Sequence, residues 1–272
     1  MSMQDHRGDL LDRLTDGIAG LTDSEHWRRH LDCQSVFHQY SFGNVVLIAT
    51  QRSDASRVAG FRRWKKVGRS VRKGEKAIWI VAPMARRKGE ADDDESLVRG
   101  FRYVPVFDIS QTEGEDLPVV CHRLCGEDPS ASFSRLTRVA RSVGYSVETG
   151  PLPAATNGDC SFSLRRIRVE ARNAPAQQVK TLAHEVAHAL LHEGQRDRAL
   201  AELEAESTAY VVCQTLGLDT GAYSFGYVAI WAGGGEPAIA RIRSSCTSIQ
   251  RAASFILAAL DGKEHDGESH AA

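Results

Sequence analysis

The residues that decide the fold of this chain are Thr181-Leu182-Ala183-His184-Glu185-Val186-Ala187-His188. On a helix, two histidines four positions apart project from one face and lie about one turn from each other. Both imidazoles can then reach a single Zn²⁺ at about 2.0–2.1 Å. Glu185 follows the first histidine, where its carboxylate can accept a proton from an attacking water. The run predicts a helix with a zinc site in which His184 and His188 are ligands and Glu185 is the catalytic base.

A catalytic zinc usually has three protein ligands and one open position. The next acidic segment, Glu202-Leu203-Glu204-Ala205-Glu206, is predicted to lie on the following helix, with Glu202 and Glu206 on one face and Glu204 pointing elsewhere. The segment resembles the Glu-x-x-Ala-Asp/Glu segment of zincins whose third ligand is a glutamate. That resemblance implies Glu202 as the third ligand, with Glu206 bonding the second nitrogen of a ligand histidine. The alternatives are Glu206 as the ligand and a plain exposed acidic helix face.

Two neighbouring features have a plainer interpretation. His192 lies one further turn along the same helix face, too far along the axis to join the same coordination sphere. It is predicted to be a surface or capping histidine. Leu164 to Glu170 alternates apolar and arginine residues and fits the edge strand beside a zincin cleft, which can pair with an extended peptide. Any half-exposed strand shows the same alternation.

Composition sets the broad class of protein. A chain of 272 residues with 42% hydrophobic and 25% charged residues is long enough for two ordinary globular domains. The net charge of −1 excludes a wholly basic nucleic-acid coat protein. No apolar run approaches the roughly 18 residues that span a bilayer, and the N-terminus is polar, unlike a secretory signal. We therefore expect a cytoplasmic protein with no membrane partner.

The pattern of apolar residues predicts the fold class. Helical spacing indicates helices within residues 10–48. A continuous apolar run at 77–82 indicates a buried strand and alternation at 101–109 indicates another, joined by an acidic hairpin loop at 89–96. Further helices are expected at 133–143, 173–193, 199–216 and 236–260, and further strands at 145–148 and 162–170. The expected fold is α+β, with N-terminal helices and a small antiparallel sheet, then a mostly helical domain with a small sheet. The predicted domains are residues 1–125 and 126–262, followed by a disordered tail at 263–272.

A basic segment lies between the first helices and the first strand. Residues 57–76 contain nine Lys or Arg residues against one acid, Glu75. Cations can follow a phosphate backbone, and aromatic faces can stack on unpaired bases without demanding a sequence. The alternative is a solvated charged surface with aromatic residues in the core. The predicted DNA contacts are Arg62, Arg63, Trp64, Lys65, Lys66, Arg69, Arg72 and Lys73.

Several short motifs in fixed order carry a family resemblance. They are Phe37-His38-Gln39-Tyr40-Ser41-Phe42-Gly43-Asn44, Gln51-Arg52, Val58-Ala59-Gly60-Phe61, Trp64, Gly68-Arg69-Ser70-Val71-Arg72-Lys73-Gly74-Glu75-Lys76 and Val106-Phe107-Asp108-Ile109-Ser110-Gln111-Thr112. Together they resemble the N-terminal single-stranded-DNA-binding domain of the ArdC-like antirestriction proteins of plasmids and mobile elements. The C-terminal half resembles the zincin-like metallopeptidase domain of that family and is similar to the ImmA/IrrE metallopeptidases. The likeness spans roughly residues 10–232.

The resemblance implies single-stranded DNA as a partner, Zn²⁺ as a cofactor and an antirestriction role. The alternative function is a regulatory metalloprotease of the ImmA/IrrE type that cleaves a protein partner, with the first domain as a docking module. A third possibility is a structural zinc that joins two helices. However, structural sites usually have four closed, cysteine-rich ligand positions.

Overall fold

The computed structural model of this chain describes residues 12–22, 24–84, 101–115, 129–153, 156–218 and 236–261. They form two compact units. The first holds residues 12–18, 43–84 and 101–115, and the second holds the remaining described residues. The predicted α+β fold class is confirmed. The predicted domain boundary at residue 125 lies outside the described residues and stays a prediction.

The described residues form eight helices and eight strands. The helices are α1 (residues 12–19), α2 (Ser24–Val36), α3 (Phe42–Gln51), α4 (Phe61–Lys66), α5 (Pro129–Ser142), α6 (Pro175–Leu191), α7 (Arg198–Thr215) and α8 (Glu236–Leu260). The strands are β1 (Val58–Ala59), β2 (Arg69–Val71), β3 (Ile78–Pro83), β4 (Phe101–Asp108), β5 (Thr112–Gly114), β6 (Ser146–Gly150), β7 (Gly158–Ser161) and β8 (Arg166–Glu170). Short 3₁₀ turns occur at Gly20–Thr22 and Ile109–Gln111.

The first unit contains two small antiparallel sheets. In one sheet β4 lies between β1 and β3, and in the other β2 pairs with β5. Strand β3 alternates buried and half-buried residues, so that Ile78, Ile80 and Ala82 face the core. This is the alternation expected of a strand with one face on the core.

Helix α3 covers the outer edge of β3 with two amide side chains. Asn44 donates to the carbonyl of Val81 and accepts from its N–H, both at 2.8 Å. Gln51, two helical turns further on, does the same with Trp79 at 2.9 and 3.0 Å. These bonds satisfy backbone groups that an edge strand would otherwise leave to solvent or to another chain. The two side chains therefore make the hydrogen bonds that a neighbouring strand would otherwise make with β3.

Asp108 ties the end of β4 to the start of β1. Its carboxylate is 0% exposed and accepts bonds from the N–H groups of Ser56 and Arg57, and from the N–H and hydroxyl of Ser110. The Gln111 side chain accepts a bond from the Asp108 N–H, which completes a capping box. Burial would raise the pKa of Asp108, but the hydrogen bonds from Ser110, Arg57 and Ser56 hold it below its usual value. A carboxylate is needed at this position because each of its two oxygens accepts two hydrogen bonds.

The substitution Asp108→Asn is expected to destabilise the first unit by about 1–3 kcal/mol. An amide has only one accepting oxygen, so its NH₂ group would face buried donors. Thermal unfolding and hydrogen exchange in the peptide containing Ser56 and Arg57 measure the effect. Asp54→Asn, at an exposed carboxylate of the same unit, is the matched control. Equal stability and exchange in the two variants would contradict the anchoring role of Asp108.

The second unit has a three-stranded mixed sheet. Strand β8 lies in its centre, parallel to β6 and antiparallel to β7. The expectation that residues 164–170 form the edge strand is wrong, because β8 is paired on both sides. The edge strand is β7, whose sequence Gly158-Asp159-Cys160-Ser161 has no apolar alternation to reveal it.

Helix α2 lies early in the sequence but packs in the second unit, against α7. The Trp27 indole N–H donates to Ser207 Oγ at 3.1 Å, and the Tyr210 hydroxyl donates to the Asp32 carboxylate. Further along, the Thr215 hydroxyl donates to the Ser35 carbonyl at 3.1 Å. Helix α5 packs against α6, and α8 packs against α7. Helices α5 and α8 also contact each other. The second unit therefore supports α6 and α7 from several sides.

Some sequence predictions lie outside the described residues. These are the acidic loop at 89–96 and the tail at 263–272. The predicted helices from residue 133 onward are present within a few residues of their expected ends, whereas α4 and the short strands β1, β2 and β5 were not predicted. Among the described helices, none is both long enough and apolar enough to cross a membrane.

Candidate metal centre

Helix α6 carries the two motif histidines. Pro175 occupies its first turn, where a missing N–H costs nothing. Val179, Leu182, Val186 and their alanine neighbours are buried at helical spacing and fix the orientation of the helix. The face that carries His184 and His188 is turned to a cleft, which α7 borders from the other side.

Three ligand atoms converge in this cleft. His184 Nε2 lies 3.0 Å from His188 Nε2, and Glu202 Oε2 lies 3.4 Å from the first and 3.9 Å from the second. A tetrahedral zinc with bonds of 2.0–2.1 Å separates its ligand atoms by about 3.3 Å. The two imidazoles and one carboxylate therefore have a spacing that could hold a metal ion.

The outer nitrogen of His184 contacts a carboxylate. Its Nδ1 lies 3.2 Å from Glu206 Oε2, and Glu206 Oε1 accepts a bond from Lys180 Nζ at 2.9 Å. Glu206 thus lies on the side of the ring that points away from the three converging atoms. The structure brings Glu206 to the position that the sequence predicted for it, but the role of each residue in metal binding remains a proposal.

The outer nitrogen of His188 contacts a second histidine. His188 Nδ1 lies 2.8 Å from His192 Nδ1, and His192 Nε2 lies 3.1 Å from Glu204 Oε2. His192 is 4% exposed and Glu204 is 7% exposed. Of the two expectations for His192, the surface position is wrong and the capping position is confirmed, because His192 is the C-cap of α6 and its backbone N–H bonds His188 O. Glu204 points away from the cleft as expected, and its side chain contacts His192.

Three ionisable groups at the centre, His184, Glu202 and Glu185, have shifted pKa values. Burial lowers the pKa of His184, but hydrogen bonds with Glu202 and Glu206 outweigh it and raise the pKa to about 9. The same contacts with His184 and His188 hold the pKa of Glu202 below its usual value. Burial raises the pKa of Glu185 to about 7, with a further contribution from the charge of Glu202. A carboxylate with a pKa near 7 can both accept and return a proton at neutral pH.

The cleft has a volume of about 630 Å³ and is bordered by β7, α6 and the start of α7. Strand β7 runs very close to α6 at Gly158. A Cβ atom at this position would lie 2.5 Å from Thr181 Cγ2 and 3.0 Å from both Arg168 O and Glu185 Oε1. Glycine is therefore required here, because any side chain would enter the space next to the Glu185 carboxylate.

The substitution Gly158→Ala is expected to destabilise the second unit by about 1–3 kcal/mol, since β7 and α6 must separate to admit the methyl group. Thermal unfolding measures the loss, and a crystal structure of the variant should show Glu185 displaced. Gly150→Ala is the matched control, because a Cβ there meets nothing within 4 Å. A Gly158→Ala variant as stable as the control would refute the close approach.

The predicted DNA contacts separate into three groups in the first unit. Arg62, Arg63, Lys65, Lys66 and Lys73 are exposed. Arg69 and Arg72 are bound to their own unit, both to the Thr112 carbonyl. Arg69 also bonds the Thr112 hydroxyl, and Arg72 bonds Glu75 and the Ser110 carbonyl.

The prediction of Trp64 as a stacking surface is wrong. The indole is 2% exposed and its N–H donates to the Phe107 carbonyl at 2.9 Å. An aromatic ring enclosed by the core has no face left for a nucleobase. Trp64 instead anchors α4 to β4, which leaves the cations on either side of it in sequence at the surface.

Sequence reasoning missed Gly158, Lys180, His192 and Glu204 as parts of this centre. The spacing of His184, His188 and His192 placed three histidines on one helix face, which was a usable signal for His192. Lys180 lies four residues before His184, also at helical spacing. Gly158 and Glu204 gave no such signal, because their contacts depend on the packing of β7 and α7 against α6.

The fold and the site define an α+β protein with a His-Glu-x-x-His helix at the side of a cleft. Two family models match its sequence: the N-terminal domain of anti-restriction factor ArdC over residues 9–112, and the IrrE N-terminal-like domain over residues 142–213. These two matches, in this order along the chain, support an ArdC-like antirestriction protein.

The individual proteins that match this chain share about a quarter of its residues or fewer. The uncharacterized protein pXO2-81 of Bacillus anthracis is 26% identical over 266 residues, which cover 81% of this chain and 45% of that protein. This chain therefore spans less than half the length of that relative. Crystal structures of the antirestriction protein ArdC from plasmid R388, one metal-free and one Mn(II)-bound, are 22% and 23% identical. Each match covers 82% of this chain and 85% of that chain, with a TM-score of 0.49.

Proposed function

We propose that this chain binds single-stranded DNA through its first unit and holds a zinc ion in the cleft of its second unit, in an antirestriction role. The observation that carries the metal proposal is the convergence of His184 Nε2, His188 Nε2 and Glu202 Oε2. The DNA proposal is supported by the match to the ArdC N-terminal domain and by the exposed cations of α4. The antirestriction role is supported by the two family-model matches, which occur in the order expected of ArdC-like proteins.

The donor set suits zinc in an open site. Two imidazoles and one carboxylate form a ligand set that catalytic zinc sites use, with a fourth position left for water or substrate. The three atoms belong to α6 and α7, which pack against each other, so the spacing is held by the fold. Glu202 is 51% exposed and borders the open side of the cleft, whereas the histidines are more deeply placed.

The residues of the cleft can perform a hydrolysis. Zinc bound there would supply Lewis acidity to polarise a carbonyl group and lower the pKa of a water. Glu185, with its raised pKa, can accept the proton from the attacking water and return it to the leaving group. Glu206 and Lys180 orient His184, and β7, a half-buried strand at the edge of its sheet, can align an extended peptide beside Glu185.

The DNA proposal rests on α4 and the turn that follows β2. Arg62, Arg63, Lys65 and Lys66 are exposed over little more than one turn, and Lys73 is exposed nearby in sequence. Because Arg69 and Arg72 hold the β2–β5 region together, we assign them to positioning this surface rather than to the DNA itself. Contacts with phosphates would then dominate the affinity, which would be sensitive to salt.

Replacing Arg62, Arg63, Lys65 and Lys66 together by alanine is expected to weaken the binding of a labelled single-stranded oligonucleotide. The slope of log affinity against log salt should become shallower by up to about 3, at about 0.7 for each lost phosphate contact. Fluorescence anisotropy at several salt concentrations measures both quantities, with duplex DNA as the comparator.

The control for this experiment is a second variant with the same change in net charge. It replaces Arg138, Arg141, Arg243 and Arg251, which are exposed in the second unit. If the control loses affinity equally, binding depends on total charge and not on α4. Absence of any salt-sensitive binding by the unaltered protein would overturn the DNA proposal.

For the metal centre, Glu185→Gln is expected to retain one zinc per chain and to lose hydrolysis of an unfolded protein substrate by about 10²-fold or more. Glu202→Gln is expected to lose zinc itself, because an amide is a poor replacement for a ligand carboxylate. Elemental analysis after dialysis gives the zinc content, and release of peptides from denatured casein gives the activity. A Glu185→Gln protein that hydrolyses casein as fast as the unaltered one would exclude Glu185 as the base.

A second candidate function is a regulatory metalloprotease that cleaves one protein partner. It is favoured by the match to the IrrE N-terminal-like domain and by the edge strand β7 beside the cleft. The two functions differ in what the Glu185→Gln variant does in cells. Loss of every cellular effect favours the protease, whereas retention of protection against restriction favours a role based on binding.

A further inference from the structure

A chain of three side chains, of which the last two are buried, extends from the candidate metal centre to α7. It consists of His188, His192 and Glu204, joined by contacts of 2.8 and 3.1 Å. His188 Nε2 faces the other two candidate ligands, so its Nδ1 is the only ring nitrogen available to His192. The chain therefore begins at a candidate ligand and ends on a carboxylate that does not border the cleft.

The proton positions in this chain follow from hydrogen-bond geometry. When His188 Nε2 binds a metal, the ring proton is on Nδ1, and this N–H can donate to His192 Nδ1. His192 then accepts through Nδ1, so its own proton is on Nε2 and is donated to Glu204 Oε2. Each donor thus has one acceptor, and the direction of donation runs from the metal side towards Glu204. In the other tautomer of either histidine, two lone pairs or two N–H protons would face each other.

The surroundings hold the chain in place. His192 ends α6, with its backbone N–H bonded to His188 O, and Glu204 lies in the first half of α7. The Glu204 carbonyl accepts a bond from the buried Thr208 hydroxyl at 2.8 Å. The charge of Glu204 also contributes, after burial, to the raised pKa of Cys246 on α8. The carboxylate is therefore enclosed by protein, with His192 as its hydrogen-bonding partner across the α6–α7 interface.

We propose that His192 and Glu204 are positioning residues for His188: they fix its tautomer and ring orientation so that Nε2 is presented to the metal. This inference rests on the proposed metal site. It differs from the role of Glu206, which contacts His184 directly and is 26% exposed on its side chain. The two ligand histidines are thus oriented by two separate networks, one at the cleft wall and one inside the protein. Hydrogen-bonding partners of ligand histidines affect metal affinity by about 10–100-fold.

The experiment compares His192→Ala, Glu204→Leu and Glu204→Gln in the full chain. The first two remove the acceptor for His188 or for His192, and zinc affinity measured by chelator competition is expected to fall about 10–100-fold. Glu204→Gln keeps an accepting oxygen for His192 and should lose less than Glu204→Leu. The visible absorption bands of bound Co²⁺ are expected to change in the first two variants, because they report the geometry of the ligands.

Glu170→Gln is the matched control. Glu170 has a side chain that is only 6% exposed and lies in the same unit, where it accepts bonds from Arg172 and the Leu152 N–H. It is expected to change the thermal stability of the metal-free protein without changing zinc affinity or the Co²⁺ spectrum. A purely structural role for Glu204 would give the same result in Glu204→Leu.

The outcomes separate the two proposals. Zinc affinity and Co²⁺ spectra that match the unaltered protein in folded His192→Ala and Glu204→Leu variants would overturn the positioning role and leave the metal site standing. If His192→Ala does not fold, the comparison of Glu204→Leu with Glu204→Gln decides the question. An unaltered protein that binds no zinc at all would overturn both proposals.

Discussion

The packing of α6 against α7 is the interaction on which the candidate site depends. Helix α6 supplies His184, Glu185 and His188, and α7 supplies Glu202, so that neither helix alone has a complete ligand set. The interface is held by the apolar face of α6 and by α2, α5 and α8 packed around the pair. Because the three ligand atoms lie within 4.8 Å of one another, a shift of 1 Å between the helices would change the site.

This arrangement requires charged and polar groups to lie within a largely apolar unit. An unpaired carboxylate away from solvent is costly, and two of those near the site have partners that can also orient it: Glu206 has Lys180 and His184, and Glu204 has His192. The same groups thus satisfy each other's hydrogen bonds and constrain the histidine rings. Gly158 adds a steric constraint, since a side chain at this position would meet Thr181 and the Glu185 carboxylate.

The first unit uses its motif residues mainly to hold its own backbone. Asn44 and Gln51 cover the edge of β3, Asp108 anchors residues 56 and 57, and Trp64 fastens α4 to β4. Of the residues predicted to contact DNA, Trp64, Arg69 and Arg72 are hydrogen-bonded within the unit itself. What this scaffold displays is the set of exposed cations on α4, which is the part of the segment still available to a phosphate backbone.

The sequence by itself determined the α+β class, the helices from residue 133 onward, the convergence expected of His184 and His188, and the choice of Glu202 and Glu206 as their neighbours. The helices and the shared face of His184 and His188 follow from periodicity, which is local and visible in the order of residues. The choice of Glu202 and Glu206 came from the resemblance of their segment to that of zincins. Only the tertiary structure decided that Trp64 is buried, that β7 and not β8 is the edge strand, and that α2 packs with α7. It also decided that His192 and Glu204 meet. The physical reason is the same each time: these contacts join segments distant in sequence, and their partners are chosen by packing and burial.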